Sequence, residues 1–350
     1  MSQSEIAEPR SAFTTAAPAF GLDEIERMVR ERYGIAARAS MLTSERDLTV
    51  RLDAEDGARF VLKIANAAED PGVSEFQNRA LEHLARTVPD VPASRLVRTL
   101  DGAPEFFAPC DGEHHFTRLL TWLPGRPLFG AARTPAQMLA LGTALGRLAK
   151  GLADFSHPAA EHEIVWDIRR SPGLLQHTRY VADPALRARV TRIFEAFRDE
   201  IAPREDALRM QVVHNDFNPF NLLVDEADTD RLTGILDFGD LVRTPAIYDL
   251  AIASAYQVAD EGHPFEPVAA LVSAYHAVHP VPEAELDLLP QLVGVRQAMT
   301  ITIGEWRASR YPENAPYILR NHAKARSAMA RCEAVPLDEA REMLRRACGV

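Results

Sequence analysis

Apolar and polar positions change period along the chain, and each change marks an element. Leu22, Ile25, Met28 and Val29 recur at helical spacing and Gly34 follows as a stop signal, which predicts a helix where the fold begins. The period then drops to two. Leu48, Val50 and Leu52 alternate with Thr49 and Arg51, Glu55-Asp56-Gly57 supplies a turn, and Arg59 to Ile64 returns, so a β-hairpin is expected. On the returning strand Phe60, Leu62 and Ile64 share one face, and Val61 and Lys63 share the other. A helix over residues 73–86 and strands over 95–100, 105–108 and 116–123 follow. Pro124-Gly125 breaks the last strand as a natural hinge, after which helical patterns dominate over 135–153, 184–201, 247–258, 267–278 and 286–305. The pattern predicts an α+β chain in two lobes: a loose leader over 1–20, a β-rich lobe over 21–123 and an α-helical lobe over 124–350.

Composition narrows the function classes. A chain of 350 residues, 47% hydrophobic and 25% charged, is globular and carries enough apolar material for one large bilobal domain. Its net charge of -11 argues against a general phosphate-backbone binder, so no nucleic-acid partner is expected. Cys110, Cys332 and Cys348 make no Cys-x-x-Cys pair and suit a reducing compartment. The N-terminus carries Glu5 and Glu8 rather than a basic start with an apolar run, and no stretch reaches the roughly 18 uncharged apolar residues that a bilayer requires. A cytoplasmic protein without a membrane partner is expected.

The chemistry concentrates between Gln211 and Asp249. His214-Asn215-Asp216 is followed by Asn221 in the form His-x-Asp-x-x-x-x-Asn, and Asp237-Phe238-Gly239 closes an apolar strand, as in the protein-kinase signature set. Phosphoryl transfer needs a carboxylate to orient the attacking hydroxyl and oxygen ligands to place magnesium against the β- and γ-phosphates. Asp216 reads as that catalytic base, and Asn221 and Asp237 as the Mg2+ ligands. Strands over 222–224 and 232–236 would join them across the acidic turn. Either motif by itself is a weak sign; their order, flanking strands and an upstream strand lysine make the case. His214 reads as a packing and hydrogen-bonding residue beneath the loop. Lys63, in Phe60-Val61-Leu62-Lys63, resembles the kinase strand lysine that contacts the α- and β-phosphates, with Val61 roofing the base; a solvated edge lysine is the alternative.

With these residues the sequence resembles the aminoglycoside phosphotransferase and choline kinase superfamily, which has a protein-kinase-like fold, and within it is most like the hydroxylysine kinases. The likeness runs from about Leu22 to Met329. It includes Phe60 to Ile64, Arg118-Leu119-Leu120-Thr121-Trp122-Leu123-Pro124-Gly125-Arg126-Pro127, Gly234 to Asp240, and Tyr311-Pro312-Glu313-Asn314. The resemblance implies phosphorylation of 5-hydroxylysine, with GTP the expected donor and ATP the alternative, and a hydroxylated amine or amino acid as the small-molecule partner. Three positions depart from the superfamily pattern. Asn215 stands where glycine is usual, in a loop that can require an unusual φ, although asparagine tolerates such angles better than most residues. Ser44, in Ser44-Glu45-Arg46-Asp47, replaces a glycine-rich loop and is a candidate phosphate donor or a plain turn residue. Gln77 occupies the helix position that usually carries the acidic partner of the lysine, which leaves nearby Glu75 as partner or as a helix-surface residue.

Arg296 stands out inside Leu292-Val293-Gly294-Val295-Arg296-Gln297-Ala298-Met299 because so apolar a helix must supply it with an anion. A substrate α-carboxylate is one; an internal salt bridge to Glu305 or to a loop carboxylate is the other. A protein-kinase reading fails for lack of room, since few residues separate Asp237-Phe238-Gly239 from the helix near Ile247 and no Ala-Pro-Glu follows. An aminoglycoside, homoserine or other amino-alcohol kinase, and a catalytically silent nucleotide-binding module, are the competing functions.

Overall fold

The computed structural model describes residues 18–42 and 47–350. Two compact units divide the chain: Met1–Ala85 with Ala93–Leu123, and Arg86–Pro92 with Pro124–Val350. No helix among the described residues is long and apolar enough to cross a membrane.

The first unit contains α1 (Leu22–Tyr33), β1 (Ala37–Leu42), β2 (Leu48–Ala54), β3 (Arg59–Ile64), α2 (Pro71–Thr87), β4 (Leu96–Val97), β5 (Phe106–Cys110) and β6 (Glu113–Thr121). Ile25, Val29 and Tyr33 recur every four residues on the buried side of α1, and Gly34 ends the helix at φ 69°. The sheet runs β1-β2-β3-β6-β4 with β5 on β6, and every pairing is antiparallel. Leu62 and Ile64 are fully buried against Ile25, Val29, Val50 and Leu52, whereas Val61 and Lys63 on the opposite face are half-buried. Phe20, within the expected leader, joins this core and meets His115 edge-on at 5.9 Å.

The second unit contains β7 (Arg126–Pro127), α3 (Pro135–Leu152), α4 (Pro184–Ala196), β8 (Met210–Val213), β9 (Leu222–Val224), β10 (Leu232–Ile235), β11 (Val242–Pro245), α5 (Ala246–Ala255) and α6 (Glu266–Val278). The short α7 (Glu283–Leu286), the long α8 (Leu289–Arg310), α9 (Ala315–Ile318), α10 (His322–Glu333) and α11 (Leu337–Cys348) complete it. The site rests on two small antiparallel sheets, β10-β9-β7 and β11-β8. Gly125, expected as a hinge, is packed tightly: its φ is 118°, and a Cβ there would lie 2.5 Å from the Val224 carbonyl oxygen. Only glycine lets the chain pass this close to β9. Backbone also meets backbone between α3 and α6, where a Cβ on Gly142 would stand 2.0 Å from the Leu271 carbonyl oxygen. Gly146, one turn on, repeats the approach against Tyr275 at 3.0 Å.

Candidate active site

The loop after β8 is built by its own backbone and by one buried acid. Asn218 N donates to Asp216 O at 2.8 Å, and Asn221 N donates to Asn218 O at 3.0 Å, which coils residues 216–221 into consecutive turns. Asn221 then enters β9, and its carbonyl accepts from Leu236 N at 2.7 Å, just before Asp237. The β9–β10 pairing thus carries Asn221 and Asp237 to the same end of one hairpin. His214 is fully buried: Nδ1 accepts from Asp216 N at 3.2 Å and Nε2 donates to Leu236 O at 3.0 Å, an arrangement that assigns the proton to Nε2. Its ring meets Phe238 edge-on at 4.9 Å. His214 therefore ties the loop to the strand that ends in Asp237.

Asp249, near the start of α5, lies beneath this loop. Its Oδ1 accepts from Asn215 N at 2.9 Å and its Oδ2 from His214 N at 3.3 Å. Burial pushes its carboxyl pKa up, against the opposing pull of His214 and the two backbone donors. The sequence reading missed this role. The signal was present, because Asp249 is the one charged residue in the apolar run Ala246-Ile247-Tyr248-Asp249-Leu250-Ala251-Ile252-Ala253-Ser254-Ala255. Between the two anchored backbone groups, Asn215 adopts φ 63°, the left-handed angle anticipated from the loop pattern. Its side chain is fully buried, and neither Oδ1 nor Nδ2 has a hydrogen-bond partner among the described residues.

Asp216, Asn221 and Arg296 come together. Asn221 Nδ2 donates to Asp216 Oδ2 at 2.7 Å and to Asp216 O at 3.1 Å, while Arg296 Nη2 donates to Asp216 Oδ1 at 3.3 Å. The Asp216 side chain remains 23% exposed, against 3% for Arg296, so the carboxylate stays open to a ligand while its cation is sealed behind it. Arg296 Nη1 donates to Trp166 O at 3.2 Å, and its guanidinium lies over the Trp166 ring at 4.8 Å. Of the two anions considered for Arg296, the structure thus supplies the loop carboxylate. Both terminal nitrogens of the fork thus have a partner within the protein. Glu305 faces elsewhere, accepting from Ala182 N at 2.8 Å and pairing with His322 at 2.8 Å.

Asp237 is exposed at φ 55°, with Oδ1 accepting from Gly239 N at 3.3 Å. A single short turn, Phe238–Asp240, then leads into β11 and α5, which leaves no length for an activation loop. The oxygens of Asn221 and Asp237 are hard donors of the kind magnesium takes. Among the described residues no group of three or more His, Cys, Asp or Glu gathers to hold a metal. A cation at this hairpin would draw its remaining ligands from phosphate and water, as magnesium commonly does.

In the first unit Lys63 stands opposite Thr49 and Arg118 in the sheet, sharing its face with Val61. Arg118 is buried, donating to Asn78 Oδ1 at 2.8 Å and to Gln77 Oε1. The amide at position 77 thus serves an arginine. Glu75 pairs with Arg79 at 3.3 Å, one turn along its own helix, as a helix-surface residue does. Ser44 lies outside the described residues.

A sequence profile of APH, the phosphotransferase enzyme family, matches residues 42–289, well over half of the chain. The chain belongs to that family. The hydroxylysine kinase of Danio rerio is 26% identical over 335 residues, covering 92% of this chain and 94% of its own length. That of Mus musculus is 24% identical, covering 87% of each. Among solved structures, a microcompartment-associated aminopropanol kinase has a TM-score of 0.70 at 19% identity, covering 91% of this chain and 99% of its own. An amicoumacin kinase in complex with AMP-PNP, Ca2+ and Ami has a TM-score of 0.67 at 14% identity, covering 91% and 95%. At such identities the structural likeness speaks for the fold: β-rich N-terminal region, helical C-terminal region, protein-kinase-like. As a member of the phosphotransferase family with hydroxylysine kinase relatives, the chain is a small-molecule kinase that transfers phosphate to an alcohol.

Proposed function

We propose that this phosphotransferase moves the γ-phosphoryl group of GTP or ATP onto the side-chain hydroxyl of a small amino acid, with 5-hydroxylysine the leading acceptor. The observation that carries the reading is the Asp216 carboxylate, fixed on one oxygen by Asn221 and on the other by Arg296, yet open at its edge. A carboxylate so held has one orientation to offer, and orientation is most of what a phosphoryl-transfer base contributes. Asp216 would accept the hydroxyl proton as the oxygen attacks phosphorus. Arg296 holds that carboxylate from behind and, being sealed, leaves its open edge to the acceptor. Asn221 spends its amide nitrogen on Asp216, which leaves the amide oxygen for a cation, and the exposed Asp237 carboxylate supplies the second protein ligand. Bound magnesium would neutralise charge on the transferring phosphate. Lys63 and Val61 are the proposed nucleotide contacts of the first unit, with Ser44 a further phosphate donor. The hydroxylysine kinase relatives support the acceptor class, and three free cysteines suit a cytoplasmic setting.

The test is a phosphate-transfer screen with Mg-GTP and Mg-ATP against 5-hydroxylysine, homoserine, choline and an aminoglycoside. The expected result is the highest kcat/KM on 5-hydroxylysine. Preference for the aminoglycoside or choline by ten-fold or more would overturn the acceptor assignment, and nucleotide binding with no transfer to any hydroxyl would favour the silent module.

A further inference from the structure

Trp166 belongs to no strand or helix, yet its place is fixed by the residue that follows it. Asp167 is buried, and its Oδ1 accepts from Arg169 N at 3.1 Å, which caps the helical segment Ile168–Tyr180, and from Thr244 Oγ1 at 2.9 Å. Asp167 N donates to Ile164 O at 3.1 Å and closes a turn that contains Trp166. Thr244 lies in β11, opposite Gln211 of β8, the strand that leads into the catalytic loop. Trp166 is therefore tied to the same small sheet as that loop.

From that position one residue meets Arg296 twice. The Trp166 carbonyl accepts from Arg296 Nη1 at 3.2 Å, and the indole lies over the guanidinium at 4.8 Å. The other terminal nitrogen reaches Asp216 Oδ1 at 3.3 Å, longer than the about 2.7–2.9 Å of a tight charge-assisted bond, so this bond by itself leaves the guanidinium slack to tilt. The ring over its face limits that tilt. Tyr256 also neighbours the guanidinium. The Arg296 side chain is 3% exposed and Trp166 is half-buried, which makes the indole a cover between the cation and water. A guanidinium–carboxylate pair holds its geometry better where water and salt are kept from the cation.

We infer that Trp166 is a positioning residue for the catalytic base: by restraining and covering the Arg296 guanidinium, it fixes the direction in which the Asp216 carboxylate meets the acceptor hydroxyl. The inference rests on the reading of Asp216 as base and deepens it. The carbonyl contact is backbone and persists whatever side chain stands at position 166, so the indole's share can be read separately. A misdirected base costs rate rather than affinity. The signature is therefore a fall in kcat that deepens with salt, as the uncovered pair is screened, while both KM values are kept. The indole centre lies no more than about 9.5 Å from Asp216 Oδ1, near enough for an acceptor to touch the ring directly, and that different role would show in the acceptor's KM.

Steady-state phosphoryl transfer by the full chain to the best acceptor of the screen above, in about 0.05 M and about 0.5 M potassium chloride, tests the role. Trp166→Leu should lower kcat about ten-fold in low salt and about three-fold more in high salt, with the KM values for acceptor and Mg-nucleotide within about two-fold of wild type. Trp166→Phe keeps a π face for the cation and should hold kcat within about three-fold. In an Asp216→Asn background, Trp166→Leu should cost no further rate, because the contact it serves is already gone. Trp166→Met takes the place of the leucine variant if that fails to fold, with the same expectations. Unchanged kcat, an equal loss in the Leu and Phe variants, a fall in kcat indifferent to salt, or a rise of about ten-fold in acceptor KM with kcat kept would each overturn the assignment. Full activity of Trp166→Leu beside an inactive Asp216→Asn would remove this inference alone. Wild-type turnover in Asp216→Asn, or transfer to no acceptor at all, would remove the base reading and the role of Trp166 with it.

Discussion

Replacing Asn215 by glycine is expected to stabilise the protein, an unusual outcome for a substitution beside a catalytic base. The wild-type residue holds φ 63° and buries an amide whose two polar atoms have no partner among the described residues. Glycine removes left-handed strain of about 1 kcal/mol and an unsatisfied buried amide of about 2 kcal/mol. Against this stand about 0.7 kcal/mol of added freedom in the unfolded chain and about 1 kcal/mol of lost packing. The net gain is about 1 kcal/mol, or a midpoint rise of about 2 °C in a chain of this size. The Asn215 N–H to Asp249 bond survives because it is backbone. Asn215→Ala is the control: it also deletes the amide but keeps a Cβ at positive φ, and it should fall about 1 kcal/mol below the glycine variant. Urea unfolding of the three proteins, analysed with a common slope, reads the difference. Alanine matching glycine would refute the strain argument, and a glycine variant less stable than wild type by 1 kcal/mol would refute the idea that the amide is a burden.

Three further outcomes follow from the site. Asp216→Asn should lower kcat by about 100-fold or more while nucleotide affinity is nearly kept, whereas Asp237→Asn should also weaken magnesium-dependent nucleotide binding; titration calorimetry with and without magnesium separates them. Lys63→Met should fold normally by circular dichroism yet lose about 100-fold in kcat/KM, and an unchanged value would return Lys63 to the surface. Asp249→Asn turns one acceptor oxygen into a donor facing a backbone N–H, so it should cost about 1–3 kcal/mol in urea unfolding and lower kcat as the loop loosens.

What was legible in the sequence was what is local. His214, Asp216, Asn221 and Asp237 sit within one hairpin, so their spacing alone brings them near each other, and the β9 and β10 strands fall where the apolar runs put them. The left-handed angle at Asn215 was readable because a glycine position in a loop announces its backbone. Partnerships across long separations were not. Arg296 was singled out as a buried cation, but its anion lies 80 residues away, and nothing in a helical run says which of several carboxylates will face it. Asp249 meets the loop from 34 residues on. Boundaries failed where turn chemistry intervened. The strand expected over 95–100 keeps only Leu96–Val97, because Thr99, Asp101 and Gly102 at φ 85° close a turn. The helix expected over 286–305 begins at Leu289, where Pro290 favours a first turn, and runs on to Arg310, two residues before Pro312. β1 went unseen since Ala37 and Ala39, its buried positions, carry little strand signal.

The contact between α3 and α6 limits how this chain can diverge. The obstacle facing a Cβ at Gly142 is the Leu271 carbonyl oxygen, a group that every amino acid carries. No second change at position 271 could make room, so a lineage that loses this glycine must move a whole helix rather than repair a side chain. Found unchanged across a set of relatives, Gly142 would therefore report the spacing of two helices and carry no information about the hydroxyl compound being phosphorylated.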